Sequence, residues 1–153
     1  MNKEVLLELV WWVFTAVLVL LFILPIWLKV DSQFPFYLPN IVFIVLFITF
    51  TRLIFLTKHT FLSKKRILKL IFIFLPIPIF FYASDQLFDF QNYLDQGDYI
   101  PMLSHLDPND AVDIFKYIKY QFLFFGSGAI IVIFLMPIRM IVSIWSKMNR
   151  GVD

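Results

Sequence analysis

Four apolar stretches long enough to cross a lipid bilayer account for most of this 153-residue chain. They cover residues 5–28, 38–57, 67–84 and 120–142. A hydrocarbon core of about 30 Å takes roughly 20 helical residues to cross, and only helices or closed barrels satisfy the backbone polar groups inside it. Hydrophobic residues make up 61% of the chain, well above the roughly 45–50% of soluble domains. The sequence therefore predicts an all-α, polytopic membrane protein that forms a single domain, residues 1–153, with four transmembrane helices.

The third stretch is the least regular of the four, because its charge-free part is short and contains Pro76 and Pro78. Each proline lacks a backbone N–H donor, and its ring clashes with the preceding helical turn. We therefore expect a kink or a local break in this span.

Lysine and arginine residues are distributed unevenly between the two predicted sides of the membrane. Ten of the 13 lie at or near the N-terminus, the loop at 58–66 or the C-terminus, whereas Lys29, Lys116 and Lys119 lie on the other side. Because cytoplasmic loops carry the excess of basic residues, both termini are predicted to be cytoplasmic. The high content of Phe and Ile is typical of bacterial genomes of low GC content, so the expected location is the cytoplasmic (inner) membrane of a bacterium.

The segment between the third and fourth stretches, residues 85–119, contains seven of the 11 acidic residues. Apolar residues recur in it at helical spacing up to Gly97, a residue type that commonly ends a helix. Asp107 followed by Pro108 is a favourable start for the next helix. Helices three and four are therefore predicted to extend outside the membrane as a helical hairpin, with residues 98–106 at its tip.

The tip of this predicted hairpin holds an apolar cluster flanked by acids. Exposed clusters of this kind often mark contacts with other proteins, and packing back onto the protein or the headgroups explains the cluster equally well, so both interpretations stay open. The acids follow one another along a helix instead of converging around a glycine turn, so they indicate a solvated surface in preference to a calcium site. The residues expected at a partner contact are Tyr99, Ile100, Met102, Leu103, Leu106, Asp107, Asp110 and Asp113.

Three charged residues lie within or beside the apolar stretches: Glu8, Arg52 and Arg139. A carboxylate inside a span is a candidate proton- or substrate-coupling group. Glu8 is close to the cytoplasmic end, where hydration and the helix N-terminus also favour a carboxylate, and we prefer this second interpretation. Both arginines are predicted to extend towards the headgroups, with an intramembrane ion pair to Glu8 as the alternative.

A basic run follows the second stretch and is predicted to contact anionic lipid headgroups. Runs of this kind beside a span usually set the topology, so we expect no nucleic-acid binding. The residues of the run are Lys58, Lys64, Lys65, Arg66 and Lys69.

Small residues occur in a row in the fourth stretch. Residues of this size allow the backbones of two membrane helices to approach closely, so we expect another helix to pack here. The residues are Gly126, Ser127, Gly128 and Ala129.

The residue types on which most catalytic and cofactor chemistry depends are scarce. The chain contains no cysteine, which excludes thiol–disulfide exchange and thiolate metal sites. Its two histidines, His59 and His105, are predicted on opposite sides of the membrane and so do not ligate one haem. The best enzyme candidate combines His105 with Asp107 and Asp110, but a loop does not hold a nucleophile and a base in place. No enzyme activity, cofactor or metal is therefore expected.

Two functional hypotheses remain. The preferred one is a non-catalytic integral membrane subunit of a larger inner-membrane complex, for example one for secretion, envelope biogenesis or energy transduction. Its partners would be the bilayer and other integral membrane proteins, in a hetero-oligomeric complex. The alternative is a small oligomeric proton- or cation-coupled transporter or channel, against which stands the scarcity of polar residues within the spans.

Overall fold

The computed structural model describes residues 3–30, 34–56 and 66–149, and within them every regular element is a helix. The chain turns after each long helix, so that the helices form a bundle around the last one. The helices are α1 (Lys3–Lys29), α2 (Tyr37–Phe55), α3 (Arg66–Phe74), α4 (Pro76–Gln96), α5 (Ile100–Leu103) and α6 (Pro108–Asn149).

Four helical segments in this part of the chain are long and apolar enough to cross a membrane, which confirms the prediction of a multi-pass helical membrane protein. The third combines α3 and α4, and the others belong to α1, α2 and α6. Their bounds are Val5–Lys29, Tyr37–Phe55, Ile67–Gln96 and Pro108–Ser146. Two of these helices are longer than the apolar stretches in the sequence, because α4 continues to Gln96 and α6 already begins at Pro108.

The third span is broken at Leu75, which separates α3 from α4. Leu75 still donates its backbone N–H to Ile71 O at 2.8 Å, but Pro76 occupies the first position of α4. Because neither Pro76 nor Pro78 has a backbone N–H, the hydrogen-bond ladder is interrupted here. The break lies immediately before the two prolines that predict it.

Helix α6 lies at the centre of the bundle. It packs against α1, α2, α3 and α4, most extensively against α2. Phenylalanine fills the space between these helices, since Phe43, Phe90 and Phe122 are fully buried. Phe90 of α4 stacks on Phe122 of α6 with ring centroids 4.0 Å apart. The burial of large aromatic side chains therefore joins α2, α4 and α6 into one core.

Three of the four small residues of α6 face neighbouring helices or the core. A Cβ atom added to Gly126 would lie 2.6 Å from Leu87 Cδ2, and one added to Gly128 would lie 2.8 Å from Phe47 Cδ2. Ala129 is fully buried, whereas Ser127 is exposed and donates to Leu123 O of its own helix at 2.7 Å. Both glycines thus allow close contact with α2 or α4, while Ser127 faces outwards.

The turn between α4 and α6 has clear local causes. Gly97 adopts a left-handed conformation with φ of 75°, and the backbone N–H groups of Gly97 and Asp98 donate to Leu94 O and Tyr93 O, each at 3.3 Å. Glycine is favoured here because it has no Cβ to clash. The 42-residue helix α6 then begins at Pro108, and Asp107 O accepts from Ala111 N–H at 2.9 Å.

Candidate functional site

An ion pair connects α1 and α2 near the end of the bundle where α1 begins. Arg52 Nη2 contacts Glu8 Oε2, and the two side chains are 6% and 22% exposed. The guanidinium carbon of Arg52 also lies 5.7 Å from the centroid of the Trp11 ring, within the range of a cation–π interaction. Arg52 is therefore held by two side chains of α1.

This geometry corrects the expectation that Arg52 extends towards the headgroups. Its side chain is buried inside the bundle because α1 presents both a carboxylate and an aromatic face at the same depth. Glu8 is placed beside the guanidinium, and within the described residues Glu8 Oε1 has no hydrogen-bond partner of its own. The arrangement matches the alternative ion-pair interpretation for Arg52.

Arg139 has a different role from Arg52. Its Nε donates to Ile54 O at 2.9 Å, and Ile54 lies in the last turn of α2. The final carbonyls of a helix lack partners within the helix and carry partial negative charge. Arg139 therefore caps the C-terminal end of α2 from α6, and its predicted extension towards the headgroups stays a prediction.

Lys69 corrects a second prediction. Only 2% of the residue is exposed, and its Nζ donates to Ser143 Oγ at 2.9 Å. The lipid-accessible face of α3 is formed instead by Ile67, Leu70 and Phe74. Lys69 therefore joins α3 to α6 and does not belong to the predicted headgroup contact. Lys58, Lys64 and Lys65 lie outside the described residues, as does the side chain of Arg66.

A buried amide pair, which the sequence analysis missed, connects α2 and α6. Asn40 Nδ2 donates to Gln121 Oε1 at 2.8 Å, and Gln121 Nε2 donates back to Asn40 Oδ1 at 2.9 Å. Each side chain satisfies the other where water is excluded, and this avoids the cost of burying an unpaired amide. The sequence signal for this pair is one amide near the start of the second apolar stretch, Asn40, and one near the start of the fourth, Gln121.

Three polar contacts connect the C-terminal part of α1 to His105 and to the N-terminal part of α6. Lys29 Nζ lies 3.1 Å from Asp110 Oδ1, and His105 Nε2 forms a hydrogen bond of 3.1 Å with the carbonyl oxygen of Lys29. Tyr117 donates its hydroxyl to Phe22 O at 3.0 Å. Asp110, expected at a partner contact, thus has a partner within the chain, and His105 binds a backbone carbonyl.

The predicted tip residues divide into a buried and an exposed group. Met102 and Leu103 are buried, and Met102 Sδ accepts a hydrogen bond from the Tyr93 hydroxyl at 3.3 Å. These two residues pack onto their own chain, because α5 folds back against the bundle. Neither is therefore an exposed side chain, as was expected at a partner contact. Leu106 is half-buried, whereas Ile100, Asp107 and Asp113 are exposed.

An open apolar groove of about 290 Å³ lies between α5 and the first turns of α6. Tyr99 forms part of it and stacks on Phe115 with ring centroids 4.3 Å apart. Ile100 and Val112 are its most exposed apolar side chains, at 61% and 49%. We call this feature the α5–α6 groove, and its lining residues are Tyr99, Ile100, Leu103, Ser104, Ala111, Val112 and Phe115.

The chain has no match among known proteins that would assign a role to these features. No protein-family model, curated protein or solved structure matches it. Within residues 3–30, 34–56 and 66–149, no three histidine, aspartate or glutamate side chains are placed to hold a metal ion. The features of the chain that bear on its function are therefore the α5–α6 groove and the polar contacts between helices.

Proposed function

We propose that this chain is a non-catalytic integral membrane subunit of a larger complex in the cytoplasmic membrane of a bacterium. The observation that carries the proposal is the α5–α6 groove, an apolar surface between α5 and the first turns of α6. Apolar surface that is not covered by its own chain and is bordered by polar residues is typical of protein contacts. The subunit would dock its partners through this groove and through its transmembrane helices.

The length of α6 supports placing the groove outside the hydrocarbon. At about 1.5 Å per residue, its 42 residues span roughly twice the ~30 Å thickness of the core. The N-terminal part of α6 carries Asp110 and Asp113, charges that are costly in lipid. The excess of basic residues on the opposite side of the spans favours cytoplasmic termini, and this supports our proposal that α5 is on the extracytoplasmic side.

The contacts inside the bundle favour a structural role over transport. The alternative, a small oligomeric proton- or cation-coupled transporter or channel, would use Glu8 as its coupling acid. Glu8 is paired with Arg52, and Asn40 is paired with Gln121, so these polar side chains bind one another instead of facing a common pathway. Charged and amide groups arranged in this way stabilise helix contacts in lipid.

Purification of the tagged full chain from its native membranes in a mild detergent tests the proposal. We expect other membrane proteins to elute with it at a fixed ratio through size-exclusion chromatography. Reversing the charges of the exposed Asp107 and Asp113 together should lower that ratio, and Asp110 is left unchanged because it pairs with Lys29. Elution of the wild-type chain solely as a monomer or homo-oligomer would contradict the proposal.

A further inference from the structure

We propose that the α5–α6 groove binds a cationic amphipathic segment of a partner protein, one or two of whose apolar side chains enter the groove. This inference rests on the proposed role as a subunit and names the chemistry of its partner. It follows from the shape of the groove and from the charge of the surrounding segment.

The groove is formed before any partner binds. Tyr99 is fixed by stacking on Phe115, and the buried side chain of Leu103 also lines the groove. A volume of about 290 Å³ is at or below the lower end of small-molecule pockets, which occupy roughly 300–1,000 Å³. The groove is therefore sized for one or two side chains of a docking segment.

The charge of the segment favours a cationic partner. Residues 85–119 contain seven aspartates and two lysines, a net charge of −5 with histidine neutral, and Lys29 pairs with one of these aspartates, Asp110. Asp98 directly precedes Tyr99, and Asp107 lies one helical turn before Ala111 of the groove. Complementary charge accelerates encounter and excludes partners of like charge.

The same charge argues against a lipid surface as the occupant. Bacterial headgroups are often anionic, and anionic membranes attract basic segments. A segment with a net charge of −5 is repelled by such a surface. The apolar side chains of a basic amphipathic segment complement the groove, and its positive charges complement the acidic surroundings.

Peptide binding to the full chain in phosphatidylcholine nanodiscs tests the inference. The probe is a fluorescein-labelled helical peptide of leucine and lysine, and its anisotropy is compared with that on empty nanodiscs. We expect saturable binding that weakens at least tenfold in Ile100→Ser/Val112→Ser, a loss of about 1.4 kcal/mol or more, because two apolar contacts in the groove are removed. Both side chains are exposed, so this variant should keep the thermal unfolding temperature of the wild type.

Two further variants separate the contributions of shape and charge. Phe88→Ser removes an apolar side chain that is 65% exposed and lies outside the groove, so it should leave binding unchanged. Asp98→Asn/Asp107→Asn should weaken binding and reduce its dependence on salt, because screening acts on exposed charges. A leucine–glutamate peptide should not bind.

Three results would overturn the inference. In the first, Ile100→Ser/Val112→Ser binds the leucine–lysine peptide as tightly as the wild type does, and in the second, the wild type binds the leucine–glutamate peptide as tightly as the leucine–lysine peptide. In the third, the nanodiscs adhere to phosphatidylglycerol vesicles through Ile100 and Val112. If the groove fails these tests while native membranes still yield partners at a fixed ratio, the subunit proposal stands and another surface makes the contact. If no partner is recovered, the subunit proposal itself fails.

Discussion

Glu8 of α1 and Arg52 of α2 form an ion pair at the end of the bundle opposite the α5–α6 groove. Helix α1 buries little of its surface, and most of its large apolar side chains are exposed. In lipid there is no hydrophobic drive to hold such a helix against its neighbours. The ion pair at one end, and the contacts of Lys29 and Phe22 at the other, therefore fix α1 on the bundle.

Removing one partner of this ion pair should destabilise the protein. Arg52→Met leaves the half-buried Glu8 carboxylate beside an apolar side chain, and a polar group left without its partner in this way costs about 1–3 kcal/mol. We expect a lower unfolding temperature in detergent for Arg52→Met, and recovery in Glu8→Gln/Arg52→Met. Equal unfolding temperatures for Arg52→Met and the wild type would show that the pair does not hold α1.

The amide pair between Asn40 and Gln121 should be coupled in a double-mutant cycle. Asn40→Leu leaves the buried Gln121 amide without its partner, whereas Asn40→Leu/Gln121→Leu replaces both groups. Hydrogen bonds between membrane helices average about 0.6 kcal/mol in such cycles and reach about 1.7. We expect a coupling of about 1 kcal/mol from the free energies of unfolding, and additive single effects would contradict this assignment.

Replacing a glycine of α6 with a larger residue should separate helices that are now in contact. Gly128→Ile places its side chain against the ring of Phe47, and overpacking of this kind typically costs about 1–3 kcal/mol. Ser127→Ile is the matched control, because Ser127 is the exposed neighbour on the same helix. Thermal unfolding should distinguish the two variants, and an equal loss in both would indicate a general effect on α6 instead of a packing clash.

Ion transport offers a direct comparison of the two functional hypotheses. Liposomes containing the purified chain should show the same proton and potassium flux as empty liposomes, because the Glu8 carboxylate forms an ion pair with Arg52. The measurement is the quenching of a pH-sensitive dye under an imposed potential. A flux that depends on the protein and is lost in Glu8→Gln would favour the transporter.

The sequence predicted the helices better than the contacts between them. Length and hydropathy located the spans, and the backbone chemistry of Gly97 and Pro108 located a helix end and a helix start. The partners of Asn40 and Lys69 could not be predicted, because Gln121 and Ser143 are 81 and 74 residues away along the chain. Spans that are apolar on every side do not reveal which face turns towards a neighbour, and that rotation decides whether Lys69 meets lipid or α6.

The most direct test of the account is the side of the membrane on which the start of α6 lies. The chain contains no cysteine, so Asn109→Cys and Asn149→Cys each introduce a single thiol at an exposed position of α6. In spheroplasts, a membrane-impermeant maleimide should label Asn109→Cys directly and Asn149→Cys only after permeabilisation. Labelling of both thiols in intact spheroplasts, or of Asn149→Cys alone, would contradict a four-span topology with the α5–α6 groove on the extracytoplasmic side.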